Sequence, residues 1–417
     1  MENPQQRPLL SEDWTATLLG LLLLLMAVLG WTLPSASLQW NNLPELRERI
    51  FSGKQLQLLF QQFILLYIVA VLASWLTGKG IKNMLRVFPL LYLLSLFALL
   101  LAGNAAVRSL NLEAVIMSLG IGLLLSNLFR LPAWITQTLS TELFVKIGLV
   151  LLGSSVIFSD ILKAGSLGIL QSLFVVLSVW YFAYWLCRRL RVDEEMSMMV
   201  SSAVSICGVS AAIATAGAIK GDTKKLSYVI SLVLITAIPM MIGMPYLAKW
   251  MGLSQAVTGA WLGGSIDTTG AVVASGTLVG EEALKISTIV KFSQNVLLGI
   301  AAFAISIYWT LHGKSKQEEQ ATGWKVIWER FPKFVLGFLA ASLLFSFVVP
   351  ADTIAASKGF LKNLQNLWFV LAFTSIGLET RFADLFHQDN RRPLYAFLGA
   401  QTFNIIVTLL IAYILFR

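Results

Sequence analysis

Asp267 is the residue of this sequence that most demands a chemical role. It sits in Gly263-Gly264-Ser265-Ile266-Asp267-Thr268-Thr269-Gly270, several residues from either end of an apolar run. An isolated carboxylate deep in a bilayer costs at least about 2.5–3.5 kcal/mol, so it needs a partner or a task. Lys291 is its natural counterpart, lying early in the next apolar run beside Gln294, with Asn295 one helical turn further on. As a purely structural pair, Asp267 and Lys291 would hold two helices together, since buried pairs often specify structure without acting. As a functional set, Asp267, Lys291 and Gln294 couple an ion, and Lys291 and Asn295 also line a substrate cavity.

A second stretch offers different chemistry. Ser205-Ile206-Cys207-Gly208-Val209-Ser210 places hydroxyls on both sides of a helix-weakening glycine. A break at Gly208 would start a new half-helix at Val209. Its first N–H groups have no intrahelical acceptor, and its positive dipole end favours a small anion. The expected substrate contacts are therefore Ser205, Cys207, Gly208, Val209 and Ser210 here, with Ser265, Thr268 and Thr269 from the Asp267 stretch. A metal ion fits less well, because the apolar runs carry no cluster of carboxylates. HExxH, Walker A and CxxC motifs are absent, so no cofactor is expected. Cys187 and Cys207 are too few for a disulfide framework, and His312 and His387 lie beside charged loops. With no intramembrane histidine, the serines and Cys207 lack the nucleophile–base constellation of an enzyme.

These residues must be positioned by membrane helices. Of 417 residues, 57% are hydrophobic and 13% charged, against about 25% charged in soluble domains. That balance excludes an ordinary soluble enzyme and a disordered chain. The formal charge of +9 invites a nucleic-acid partner, but the basic residues form short clusters between apolar runs, as topology-setting loops do. Apolar runs occur at 14–33, 56–77, 85–103, 112–129, 143–158, 165–187, 195–219, 226–248, 255–279, 284–311, 332–349, 360–380 and 393–416. They do not alternate as barrel strands would. The fold expected is an all-α integral membrane protein with about 11–13 transmembrane segments, and its partner surface is the lipid bilayer. The acidic start, Glu2, Glu12 and Asp13 against Arg7, is unlike a signal peptide, so the first run reads as a retained helix.

Runs 195–219 and 255–279 are too rich in Gly, Ser, Thr and Ala to face lipid. Each reads as a broken or re-entrant segment, because free backbone groups at membrane depth are tolerated only inside protein or beside a watery cavity. Loop cations divide more unevenly between the two sides if both segments re-enter, with Lys220, Lys224 and Lys225 joining Arg188, Arg189 and Arg191. Ala211, Ala212 and Ala214 suit close helix packing. A faint internal repeat matches Gly153-x4-Phe158-x-Asp160-Ile161 to Gly377-x4-Phe382-x-Asp384-Leu385. An odd number of spans separates the copies, which predicts inverted repeats at 56–187 and 195–416 within one membrane domain, 1–417. Gly313 to Lys325 is the one long polar connection. Lys146 is expected to snorkel near Glu142, Glu379 and Arg381 to form a solvated pair, and Gln401 and Asn404 to share a face as packing bonds or site residues.

Ser205-Ile206-Cys207-Gly208-x-Ser-Ala-x-x-Ala-Thr, followed by Ile219-Lys220, resembles the signature of the YeiH-type sulfate exporter family. Lys146-Ile147-Gly148 to Asp160, Gly270 to Gly276, and Ser375-Ile376-Gly377-Leu378 agree with it in order, over about 143 to 416. This family is similar in plan to sodium–bile-acid symporters and cation–proton antiporters. The resemblance implies inverted repeats, crossing broken helices, an elevator-like motion and residence in a bacterial inner membrane. Many members carry a His-Glu pair where this chain has Asp267-Thr268, so substrate and coupling ion stay open. The expectation is a secondary transporter, exporter or exchanger, of a small anion such as a sulfur oxyanion or organosulfonate. It would be coupled to Na+ or H+, and a homodimer is compatible with this plan. The alternative is a monovalent cation–proton antiporter working through Asp267.

Overall fold

The computed structural model describes residues 8–109, 114–219, 221–311, 328, 331–380 and 391–417. Lys220, His312, the Gly313–Lys325 connection, Arg381, the second repeat copy from Phe382 to Leu385, and His387 lie outside the described residues.

The chain is helical throughout, with no strand among the described residues beyond one isolated bridge between Trp40 and Asn104. In chain order the principal helices are α1 (Glu12–Val28), α2 (Gly53–Leu76), α3 (Ile81–Ala102), α4 (Ala114–Leu128), α5 (Thr141–Gly153), α6 (Phe158–Arg189), α7 (Glu194–Ser205), α8 (Val209–Ile219), α9 (Thr223–Trp250), α10 (Gln255–Ser265), α11 (Thr269–Val279), α12 (Glu281–Leu311), α13 (Phe334–Leu343), α14 (Ala351–Glu379) and α15 (Arg392–Phe416). Six stretches among the described residues are long and apolar enough to cross a membrane: Gly53–Leu76, Ile81–Ala102, Ala133–Gly153, Phe158–Arg189, Lys224–Trp250 and Arg392–Phe416. Shorter apolar helices accompany them. The helix starts follow ordinary capping chemistry. Asp193 accepts the Met196 N–H at the head of α7, and Ser254 accepts the Val257 N–H at the head of α10.

The chain divides into two compact units, each discontinuous in sequence: Met1–Phe158 with Lys333–Arg381, and Ser159–Pro332 with Phe382–Arg417. Each unit therefore draws on both stretches that the sequence suggests as repeats.

In the first unit, α1 packs through Gly20 against Val150 of α5, so closely that a Cβ at Gly20 would lie 2.6 Å from the valine side chain. Helices α4 and α14 meet at Gly122 and Gly377, where a Cβ on Gly122 would fall 2.5 Å from the Thr374 carbonyl oxygen. Such small-residue contacts are the usual means of close helix approach in membranes. Lys146 does not simply snorkel. Its ammonium makes ion pairs with Glu12 and Asp13, both at 3.0 Å, and Lys79 reaches Glu12 at 3.3 Å. Asp13 also accepts the Lys333 backbone N–H at 2.8 Å. The physical reason is that two acids on the first turn of α1 lie within reach of a side chain only 14% exposed, and an ammonium that withdrawn does better with carboxylates than alone. Lys146→Met is expected to lower stability by about 2 kcal/mol by leaving two carboxylates without their shared cation. Thermal denaturation in detergent checks this, and an unchanged midpoint would show the cluster to be energetically idle.

In the second unit, the two Gly- and Ser-rich runs are each a pair of half-helices. Helices α7 and α8 are separated by Ile206–Gly208, and α10 and α11 by Ile266–Thr268. Gly259 and Gly263 put α10 against the backbone of α12, with an added Cβ falling 2.7 Å from the Ala283 and 2.5 Å from the Ser287 carbonyl oxygen. Ala211 and Ala212 are fully buried in packing contacts, as their size suggests. Cys187 and Cys207 are buried and free of disulfides.

Candidate functional site

The first break turns at Gly208, whose φ of +61° is open to glycine and strained for other residues. The second runs through extended backbone at Ile266 and Thr268. The two breaks touch. A Cβ at Gly208 would lie 3.0 Å from the Asp267 Cβ and 3.4 Å from its carbonyl carbon.

Each break leaves carbonyls without partners at the end of its upstream half-helix and N–H groups without partners at the start of its downstream half. The carbonyls are satisfied by side chains of α12 and α15. Lys291 Nζ donates to Ile206 O at 2.9 Å and to Gln294 Oε1 at 2.7 Å. Gln294 Nε2 then donates to Ser205 O at 2.9 Å and Gly264 O at 3.2 Å, bridging the two breaks. From the other side, Asn404 Nδ2 bridges Val204 O at 3.0 Å and Ser265 O at 3.2 Å, and Gln401 Nε2 donates to Ser265 O at 2.9 Å. Thr408 orients Asn404 by donating to its Oδ1 at 2.8 Å. Gln171 and Trp261 complete the frame through Ala260 O and Ile405 O.

Lys291 thus serves the carbonyl end of a half-helix, where a cation opposes the negative dipole. No ion pair joins it to Asp267 among the described residues; its hydrogen bonds go to Ile206 O and Gln294 Oε1. Asp267 and Lys291 are almost fully buried, at 2% and 1% exposure. Among the described residues, Asp267 Oδ2 has no hydrogen-bond partner, and neither do Ser265 Oγ, Asn295 Oδ1 and Gln401 Oε1. Native structures leave few such groups, and each asks for a ligand, a water or a function.

The remaining residues singled out in the sequence divide by accessibility. Ser205 is buried and its hydroxyl donates to Ser201 O at 2.7 Å, so its proton is already committed. Cys207 is buried against the same break. Val209, Thr268 and Thr269 are half-buried, and Ser210 is exposed at the head of α8. Thr268 caps α11 by accepting the Ala271 N–H at 3.3 Å. Gly208, which precedes α8, has no side chain with which to cap it. The head of α8 therefore offers N–H groups to an incoming acceptor, with Ser210 beside them. The sequence leaves Gln401 and Asn404 open as packing bonds or site residues. Two amides three positions apart in an otherwise apolar final helix are the signal that they serve backbone groups at depth.

The family described as Conserved hypothetical protein 698 matches residues 86–396 of this chain. The chain belongs to that family. It is 38% identical to the UPF0324 membrane protein RB9488 of Rhodopirellula baltica, over 88% of this chain and 64% of the relative. It is 41% identical to a UPF0324 membrane protein of Nitratidesulfovibrio vulgaris, over 71% of this chain and 53% of that relative. The UPF0324 membrane protein YdhF of Lactococcus lactis is 25% identical over 74% of this chain and 92% of its own length. The matched part spans between about half and two thirds of the first two relatives. No solved structure matches. With its long apolar helices, the chain is a multi-pass membrane protein.

Proposed function

We propose that the chain is a secondary transporter of a small anion, such as a sulfur oxyanion or organosulfonate, working by alternating access at the two touching breaks. The observation that carries this reading is the head of α8, to which Gly208 offers no side-chain cap, beside the buried Asp267 and Lys291. Asp267 and Lys291 together contribute no net charge. An anion docking at Val209 and Ser210 would add one, and the low-dielectric surroundings penalise an uncompensated charge. Uptake of a proton or a cation by Asp267 restores the balance, so anion binding and neutralisation of Asp267 are thermodynamically linked. The resemblance to the YeiH-type sulfate exporter family and the paired broken helices, a hallmark of transporter sites, support the same reading.

A second reading has its own support. Asp267 Oδ2, Ser265 Oγ, Asn295 Oδ1 and Gln401 Oε1 are all buried acceptors without a donor among the described residues. Oxygen atoms of this kind suit a monovalent cation, which favours a cation–proton antiporter. Ligand-induced stabilisation of the purified protein separates the two. Sulfate, sulfite, taurine or sulfoacetate is expected to raise the unfolding midpoint, since a ligand at 100 times its dissociation constant adds about 2.7 kcal/mol. Tight sodium binding with no response to any of these anions would favour the antiporter. Val209→Pro deletes one N–H at the first helical position, where proline is tolerated. It is expected to weaken anion affinity about tenfold, the equivalent of about 1.4 kcal/mol. Unchanged affinity would remove the α8 head from the site.

A further inference from the structure

The first unit holds a cavity of about 320 Å³ lined by residues of α2, α3 and α14 and of the segment preceding α2. It belongs to neither break. One part of its wall is amide and hydroxyl: Gln39, Gln62, Tyr92, Ser95, Asn363 and Asn366. The remainder is largely leucine, including Leu96 and Leu99. Among the described residues, no Asp, Glu, Lys, Arg or His lines it. A charged ligand would enter without a counter-charge, which low-dielectric surroundings penalise heavily. Three of these six residues are already engaged. Gln62 Nε2 donates to Pro34 O at 3.3 Å, the Tyr92 hydroxyl to Leu59 O at 3.0 Å, and Ser95 shares a hydrogen bond with Thr374 at 2.9 Å. Asn363 differs, because its Nδ2 is buried and has no acceptor among the described residues. An unmet amide donor in such a wall calls for an uncharged oxygen acceptor. The volume lies at the small end of the range for ligand pockets, about 300–1,000 Å³.

From this cavity we infer a second binding site, for an uncharged amphipathic molecule that presents a glycerol-like oxygen acceptor to Asn363 and an aliphatic body to the leucine wall. Two sources share that chemistry: a neutral acylglycerol from the bilayer, or a free polyol. The aliphatic half of the wall favours the acylglycerol.

The test uses the purified full chain, with unfolding midpoints measured against glycerol monolaurate, glycerol and laurate. Glycerol monolaurate is expected to raise the midpoint saturably, and laurate is expected to do nothing. Asn363→Leu removes an unpartnered donor, so it should fold as well as the parent while losing the response. Leu99→Phe fills the opposite wall and should lose it independently. A saturable response to glycerol alone, abolished by Asn363→Leu, would support the site with the polyol as its source. An equal response to laurate, a full response in both variants, or no response to either glycerol compound would overturn the proposal and leave an ordinary water-filled cavity.

Discussion

Gly208→Val is expected to abolish transport and to lower stability by about 2–5 kcal/mol. Two costs combine. A β-branched residue at φ +61° enters the left-handed region, which costs about 1–2 kcal/mol for residues with a Cβ. The added carbons also have nowhere to go, since the first would lie 2.7 Å from Val233 Cγ1 and 3.0 Å from the Asp267 Cβ. Overpacking of this kind costs about 1–3 kcal/mol. Relief requires the two breaks to separate, and that would pull Ser205 and Gly264 away from their common partner, Gln294. Gly243→Ala is the matched control. It lies inside α9 with nothing within 4 Å of the added carbon, so it should fold and transport normally. Unfolding midpoints and uptake into proteoliposomes measure both. Normal transport by Gly208→Val would mean that the turn at the first break is dispensable.

The breaks were legible in the sequence because their cause is local. Gly208 among serines, and Gly264 and Gly270 around Asp267, weaken a helix by composition alone, and no distant residue is needed to see it. The capping of the broken ends was not legible, because its cause is long-range. Asn404 reaches a carbonyl 200 residues earlier, and Gln294 reaches carbonyls 89 and 30 residues earlier. Backbone carbonyls have no sequence signature, so the sequence points Lys291 to the nearby residue whose charge can be read, Asp267. The structure gives it Ile206 O and Gln294 Oε1 instead. Lys146 illustrates the same limit in the first unit. Glu142 is its neighbour in sequence, whereas its ion-pair partners Glu12 and Asp13 come from α1.

The arrangement around Lys291 makes the two charges unequal under mutation. Lys291→Met is expected to destabilise by about 3–5 kcal/mol, the usual cost of breaking a buried charged contact from one side. It strands Ile206 O and Gln294 Oε1, and it leaves buried Asp267 without the opposite charge of Lys291. Asp267→Asn is nearly isosteric and leaves Lys291 its hydrogen bonds to Ile206 O and Gln294 Oε1, so the cation it uncovers keeps two acceptors and the loss of stability should be smaller. Its effect falls on coupling. The asparagine cannot take up a proton, so anion flux in proteoliposomes should lose its dependence on the pH or sodium gradient while anion binding persists. Adding Lys291→Gln to Asp267→Asn restores charge balance and should recover part of the stability lost by removing the lysine alone, without restoring coupling. Gradient-driven transport at the parental rate by that double variant would show that both charges serve only to hold the breaks together, and the ion-coupling role of Asp267 would fall with it.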